Sequence, residues 1–390
     1  MNIERKFPCV RDMQKAARTN IPKFSYEYLS GGIGRNQSVK NNRKALDNII
    51  ITPQYLVDNA DDPDCRCELL GQKFDRPFGV APIGLSGLIW PGGSQALAHA
   101  ARNNNIPFCL SGFATVSMEE IAAIAGEHAW YQHYMCSDDE INKRFFKRAL
   151  DCGYQNLIIT IDIPTATRRD HDIRNGLSVP PRFNFRTAYQ ILQRPRWALE
   201  TLTTGIPRFE NFIDLLPDKP SSQKTGFYLQ ELIEGHVNLD RLKMVRDHWP
   251  HNLIVKGILS EQDAQKCVEI GVEAIVVSNH GGRQLDAADS AIHRISQIRQ
   301  VTGNNLTIIA DGGVLTGLDI IRYMTCGADF VLAGRAFMYG VAAMGQRGAE
   351  HVMKVLFEEF ECTMSQIGCN NIRGLSAFRA DNKTLCQPTS

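Results

Sequence analysis

Ala274-Ile275-Val276-Val277-Ser278-Asn279-His280-Gly281-Gly282-Arg283-Gln284-Leu285-Asp286 is the stretch on which the reading of this chain turns. The apolar run from Ala274 to Val277, echoed upstream by Leu253 to Val255, breaks abruptly into polar residues and glycines. A buried strand that ends in Ser, Asn, His and Arg presents all four at one end of a sheet. The two glycines remove side-chain bulk, so something large can approach the backbone. His280 supplies a titratable base and Arg283 a fixed cation within one turn of chain. That combination suits a substrate that loses a proton while carrying a carboxylate.

Working outward, seven further apolar runs share this character: Phe78–Pro82, Phe108–Gly112, Trp130–Tyr134, Leu157–Asp162, Leu253–Lys256, Leu306–Ala310 and Phe330–Ala333. Helical segments separate them, at Ser94–Asn104, from Ser117, at Asp138–Asp151, and near 260–270, 289–302 and 316–326. Strands apolar on both faces and alternating with helices predict parallel pairing. Eight of them predict a closed (β/α)₈ TIM barrel. An open doubly wound sheet is the competing arrangement, but Pro82-Ile83-Gly84-Leu85 follows the first strand, with no G-x-G-x-x-G and no P-loop. The expected organisation is an N-terminal helical segment over 1–70, a barrel over 71–375 and a tail over 376–390. The interval between Asp162 and Leu253 is far longer than one helix needs, and its part from 180 to 224 reads as an insertion. From Pro181 to Arg208 it carries Arg182, Arg186, Arg194, Arg196 and Arg208 against the single acid Glu200, interleaved with Phe183, Phe185, Tyr189 and Trp197. Such a segment fits a peripheral membrane contact, or a lid or subunit-contact loop.

Composition sets the outer bounds. At 43% hydrophobic and 22% charged residues the chain is that of a globular enzyme, and a net charge of +1 gives no global field for nucleic acid. No apolar run is long enough to span a bilayer, and Met1–Lys6 lacks the apolar core of a signal peptide. The eleven cysteines lack paired spacing, and Cys65-x-Cys67 has no second pair to complete a metal site. A reducing, cytoplasmic compartment is expected, with peripheral attachment at the inner face of the membrane.

In a barrel, functional residues follow the strand ends. Those positions are Pro82-Ile83-Gly84, Ser111-Gly112-Phe113, Gln132-His133-Tyr134, Thr160-Ile161-Asp162, Lys256, His280 with Arg283, Asp311-Gly312-Gly313 and Gly334-Arg335. Glycine turns after the seventh and eighth strands, one with an arginine, predict a phosphate site. Lys256, costly to bury unless it meets negative charge, suits an anionic ring.

These residues resemble the FMN-dependent α-hydroxy acid dehydrogenase/oxidase family, which includes glycolate oxidase, lactate oxidase and mandelate dehydrogenase. The likeness is carried by Ser278–Asp286 and runs from about Ile21 to Leu375. Trp90-Pro91, Trp249–Ser260 and Gln366–Cys369 look most like its mandelate and quinone-linked lactate dehydrogenase branch. The resemblance implies an FMN cofactor, a small 2-hydroxy acid substrate, a quinone-type or other electron acceptor and a homotetramer. It implies His280 as the base, Asp162 as the group that orients it, and Arg283 and Arg169 as the carboxylate clamp. Tyr28 and Tyr134 would assist at the substrate. Ser111, Gln132, Thr160 and Ser278 would meet the flavin, Lys256 its N1–C2=O edge and the Pro82–Gly84 turn its N5. Asp311, Gly313, Gly334 and Arg335 would hold the phosphate end.

Three positions depart from the family pattern. Leu315 stands where most relatives have an arginine, an expectation of weaker FMN retention. Ser30–Arg35 lacks the usual acid after Tyr28, and Ile83 replaces a threonine. Gly84, where oxidases carry alanine, and the basic insertion favour a quinone-linked dehydrogenase over an oxygen-dependent oxidase that makes hydrogen peroxide. Phe113 implies a bulky or aromatic substrate side chain. A non-redox FMN or phosphate barrel isomerase is the alternative of another class, which His280 and Arg283 argue against.

Overall fold

The computed structural model describes residues 2–58, 62–165, 167–177, 185–215, 232 and 236–380. Residues 180–184 and 216–224 of the expected insertion, with Arg182 and Phe183, and 381–390 of the expected tail lie outside them. Eight parallel strands close a barrel: β1 (Phe78–Val80), β2 (Phe108–Ser111), β3 (Ala129–Tyr134), β4 (Asn156–Thr160), β5 (Asn252–Ile258), β6 (Ala274–Val277), β7 (Thr307–Asp311) and β8 (Phe330–Ala333), with β8 pairing β1. The expected (β/α)₈ architecture is the one observed.

Numbering the helices of eight residues or more, the N-terminal segment holds α1 (Val10–Asn20), α2 (Lys23–Ser30) and α3 (Gln37–Asp47). The barrel layer holds α4 (Gly93–Asn103), α5 (Met118–Ala125) and α6 (Asp139–Asp151); the insertion holds α7 (Phe185–Leu192) and α8 (Pro195–Thr204). Then follow α9 (Leu239–His248), α10 (Glu261–Ile270), α11 (Ala291–Thr302), α12 (Gly317–Thr325), α13 (Arg335–Met344) and α14 (Gln346–Ile367). Side chains of Ser117, Asp138, Ser260 and Thr316 accept backbone N–H groups at the starts of α5, α6, α10 and α12, which is why these starts are legible in sequence.

The strands read as unbroken apolar runs because both their faces are buried. Cys109, Trp130, Ile158, Ile254, Val276, Ile309, Phe330 and Leu332 fill the barrel interior. Leu157, Ile159, Leu253, Val255, Ile275 and Val277 face the helical layer. A two-stranded hairpin, Cys67–Leu69 with Gln72–Phe74, brings Leu69 and Phe74 into the interior cluster. Its turn, Leu70-Gly71, lacks the Asn-Gly signal that marks many hairpins in sequence. Both turn residues have positive φ, 52° and 80°, as a tight hairpin turn requires.

Phe330 is fully buried, its ring 6.0 Å from that of Phe74. Phe330→Ala is expected to destabilise the barrel by about 3–5 kcal/mol, read as a lower urea midpoint with an unchanged slope.

Candidate active site

The carboxyl ends of the strands open into a cavity of about 500 Å³. Tyr28, Pro82, Ile83, Gly84, Phe113, Tyr134, Thr160, Arg169, Lys256, His280, Arg283, Asp311, Gly313, Gly334 and Arg335 all line it. Of the other expected residues, Asp162 stands behind the wall against His280, Ser278 against Lys256 and His280, and Ser111 against the Phe113 backbone, with Gln132 one contact further back on Ser111.

At its centre, His280 Nδ1 lies 2.9 Å from Asp162 Oδ1. Burial pushes the Asp162 carboxyl up, but the imidazolium that His280 forms at low pH, together with the Lys256 cation, outweighs it and holds the group below the ordinary carboxylate value. An ionised carboxylate only accepts, so Nδ1 carries the hydrogen. Burial lowers the imidazole pKa further than Asp162 raises it, so the ring is neutral near pH 7 and its Nε2 is left with a free lone pair. The Tyr134 ring stacks on the imidazole at 6.4 Å, and burial keeps its phenol protonated.

The chain bends sharply to place this histidine. His280, Gly281 and Gly282 have φ of 56°, 63° and 77°, three left-handed residues in a row, of which only the first bears a side chain. A Cβ on Gly282 would stand 2.7 Å from Val39 N, so α3 rests directly on this turn. Asn279 exchanges two hydrogen bonds with Asn42 of α3, and Asp286 accepts from the backbone N–H groups of Arg35 and Ser38. The glycine-rich stretch after β6 thus fastens the N-terminal helices to the barrel mouth, and the 30–35 loop finds its acid in Asp286.

Lys256 is buried between Ser278 Oγ, at 3.0 Å, and Asp311 Oδ2, at 3.3 Å. Burial favours its neutral form, but Asp311 and Asp162 raise its pKa above the ordinary lysine value, so it is a buried cation. Arg283 donates to the carbonyls of Tyr28 and Gly31, and its guanidinium lies 4.7 Å from the Tyr28 ring centre. Burial, with the like charge of Arg169, lowers its pKa to about 10, which still leaves it charged at neutrality. Tyr28 donates its hydroxyl to Gly84 O. Arg335 donates to the carbonyls of Leu29, Gly281 and Gly31. Leu315 lines the wall without charge, and at the same turn Arg43 donates to Gly313 O at 2.7 Å and pairs with Asp319 at 2.6 Å.

The opposite wall is apolar. Phe113 packs on Tyr134, Phe209 and Phe212 with ring centres 5.0–5.4 Å apart, and Phe209, Ile163 and Leu177 join it on the cavity. Asn42, Arg43, Asp172, Leu177 and Phe209 are cavity residues that sequence reasoning did not single out. The polar side chains Ser38 and Asn42, buried on one face of α3 with Ala45 and Leu46, were the available signal for the first two.

Gly257 permits the central pair. Its φ is +106°, in an irregular step between β5 and β6, and a Cβ there would stand 2.6 Å from Asp162 Cβ. Gly257→Ala is expected to keep the barrel but displace Asp162. The His280 pKa, followed by ring NMR, then moves further down because the anion that raises it has left; an unmoved titration contradicts this placement.

A cavity at the carboxyl ends of closed parallel strands, with a histidine and two arginines on its wall, is the active-site position of a (β/α)₈ barrel enzyme. The chain belongs to the FMN-dependent dehydrogenase family, whose sequence pattern it matches over residues 17–381. It is 35% identical over 379 residues to (S)-mandelate dehydrogenase of Pseudomonas putida, covering 96% of this chain and 94% of that protein. It is 33% identical over 367 residues to L-lactate dehydrogenase of Pseudomonas syringae pv. syringae, covering 94% and 96%. The crystal structure of the monotopic membrane protein (S)-mandelate dehydrogenase superposes with a TM-score of 0.90 at 34% identity, covering 94% of this chain and 97% of that one. A mandelate oxidase structure superposes at 0.81 with 29% identity, covering 96% and 98%. The protein is an oxidoreductase of this 2-hydroxy acid dehydrogenase family, and its cofactor is FMN.

The residues present fit that cofactor. Gln132 Nε2, Thr160 Oγ1 and Asp311 Oδ1 are buried at the strand ends without a hydrogen-bond partner in the structure. Buried polar atoms left unpaired are costly, and they sit where a polar ring system would satisfy them.

Proposed function

We propose that the protein oxidises a bulky or aromatic (S)-2-hydroxy acid, mandelate- or lactate-like, to the 2-oxo acid and passes the electrons to a quinone at a membrane surface. The observation that carries this reading is the neutral imidazole of His280, fixed by Asp162, on a cavity shared with Arg169 and Arg283. FMN, when bound, accepts the two electrons that leave the substrate. Nε2 of His280 takes up the proton, and ionised Asp162 stabilises the imidazolium that results. Arg283 and Arg169 hold the carboxylate, an arginine fork fixing its plane and so the face presented. Tyr134 and Tyr28 offer hydroxyls to the substrate. Ser111, Gln132, Thr160, Ser278 and the Pro82–Gly84 turn are assigned to the ring system, with Lys256 countering negative charge on it. Asp311, Gly313, Gly334 and Arg335 are assigned to the ribityl-phosphate end, with Arg43 supplying charge beside Leu315. Phe113 and Phe209 form the side-chain pocket, which favours an aromatic substrate over a small one. The domain limits 1–70, 71–375 and 376–390 and a homotetramer complete the reading.

Among the described residues no helix is long and apolar enough to cross a membrane. The insertion nevertheless exposes an apolar face. Phe185, Tyr189 and Leu192 recur at i, i+4 and i+7 on α7 and are 96%, 62% and 78% exposed. Leu199, Leu202 and Ile206 extend the face along and just past α8, while Trp197 anchors α8 to the body by donating to Ile89 O. An outward apolar stripe on a helix held to the enzyme from behind supports monotopic attachment, as in the monotopic membrane protein (S)-mandelate dehydrogenase.

Anaerobic mixing of the holoenzyme with (S)-mandelate, (S)-lactate and glycolate tests substrate and chemistry together. Mandelate is expected to bleach the flavin fastest, and reoxidation to require a quinone. Rapid reoxidation by air marks an oxidase instead, and no bleaching by any 2-hydroxy acid marks a non-redox barrel. His280→Gln is expected to slow reduction by about 10³-fold or more while FMN stays bound. Because burial lowers the His280 pKa, the neutral base persists to lower pH. The rise of kcat/KM with pH is therefore expected below the ordinary imidazole value of about 6.5, with a plateau at neutrality.

For the membrane contact, sedimentation with anionic phospholipid vesicles is expected to carry down the wild type. A Leu192→Ser/Leu202→Ser variant, with unchanged flavin reduction, is expected to bind about tenfold more weakly. Equal sedimentation of the two removes α7 and α8 from that role.

A further inference from the structure

One carboxylate on the cavity wall takes no part in the chemistry above. Asp172 lies on the short helix Asp170–Arg174, which starts immediately after Arg169, and both residues line the cavity. Its side chain is only 15% exposed, and Oδ2 stands 3.9 Å from Arg169 Nη1. That is an ion-pair distance but not a hydrogen bond, so the guanidinium is attracted without being locked. Arg283, on the loop after β6, acts on the same carboxyl. A carboxylate largely withdrawn from water on a cavity wall needs a cation beside it, and Arg169, one member of the carboxylate clamp, is that cation here.

We infer that Asp172 is an internal competitor for the carboxylate clamp, pairing with Arg169 in the empty site and weakening the hold on the product so that it leaves. The inference rests on the 2-hydroxy acid reading of this cavity. Two arginines alone would give the clamp a charge of two against a ligand carboxylate of one. With Asp172 ionised, the clamp and a bound monocarboxylate balance. Substrate and 2-oxo acid product carry the same carboxylate, so loosening both favours turnover wherever release is slow.

The groups facing Asp172 come from three elements. Arg169 and His171 belong to its own segment, Arg283 to the loop after β6, and Glu27 to α2, where it is held by Lys23 and by Asn175 Nδ2. Burial raises the Asp172 pKa above the ordinary carboxylate value; Arg169, Arg283 and His171 oppose this, and Glu27 adds to it. The competitor is therefore neutral at low pH and ionises as pH rises through that raised pKa, so anion affinity falls over the same range.

The test is equilibrium binding of oxalate and of pyruvate to the oxidised holoenzyme, read from the flavin absorbance change. Asp172→Asn is expected to tighten both by about tenfold, the size of one screened charge pair, and to lose the fall in anion affinity that accompanies ionisation of Asp172. Asp172→Glu, which keeps the charge, is expected to bind within about twofold of wild type, and it keeps the question open to decision should the Asn variant fail to hold FMN. In turnover, Asp172→Asn lowers KM and lowers or leaves kcat. Weaker or unchanged anion binding in Asp172→Asn, with normal FMN content, overturns the inference, because a residue that merely positions Arg169 gives that result. Glu binding as tightly as the Asn variant is expected to bind also overturns it. Oxalate binding needs no turnover, so failure of the wild type to oxidise any 2-hydroxy acid is a separate outcome that strikes only the proposed function.

Discussion

The hydrogen bond between His280 and Asp162 is the constraint around which the mouth of this barrel is built. It joins the ends of β4 and β6 across β5, and β5 gives way at Gly257 so that the aspartate fits. It also divides two charges in a buried space. Asp162 stays ionised because Lys256 and His280 are near, and the imidazole stays neutral because burial outweighs its partner. An imidazole that is uncharged at neutrality follows from that balance rather than from histidine as such.

The pair depends in turn on a second set of contacts that are purely structural. Asn279 and Asp286 spend their side chains on Asn42 and on the backbone of Arg35 and Ser38. The loop bearing His280 and Arg283 is thereby held to α3, and α3 brings Asn42 and Arg43 to the glycine turn after β7. The N-terminal segment is therefore part of the cavity wall. At that turn Leu315 brings no charge, and Arg43 of α3 donates to Gly313 O beside it while pairing with Asp319.

The insertion after β4 serves two environments. Its outward helices expose Phe185, Leu192 and Leu202, while Phe209 and Phe212, further along, pack on Phe113 at the cavity. Arg194 and Arg196 turn toward the body, to Ile21 O and the Trp90 ring, so the segment's positive charge is partly spent on anchoring. A single segment thus provides both an exposed apolar surface and part of the apolar wall of the cavity.

Much of this was legible in the chain itself. Strands buried on both faces of a closed barrel must be apolar throughout, so eight uniform runs announced the fold, and side-chain caps marked the starts of several helices. Residues at strand ends could be named for the same reason: barrel geometry sends every strand's carboxyl end to one mouth. The sequence by itself therefore determined the barrel, the family and the cast of His280, Asp162, Lys256, Arg283 and Arg335. What only the tertiary structure decided was which distant residues join them. Asp172 and Phe209 reach the cavity from segments with no periodic signal toward it, and the protonation states at the centre depend on burial and charges brought together from separate strands. Local pattern records what a segment buries; the fold alone records what it is buried against.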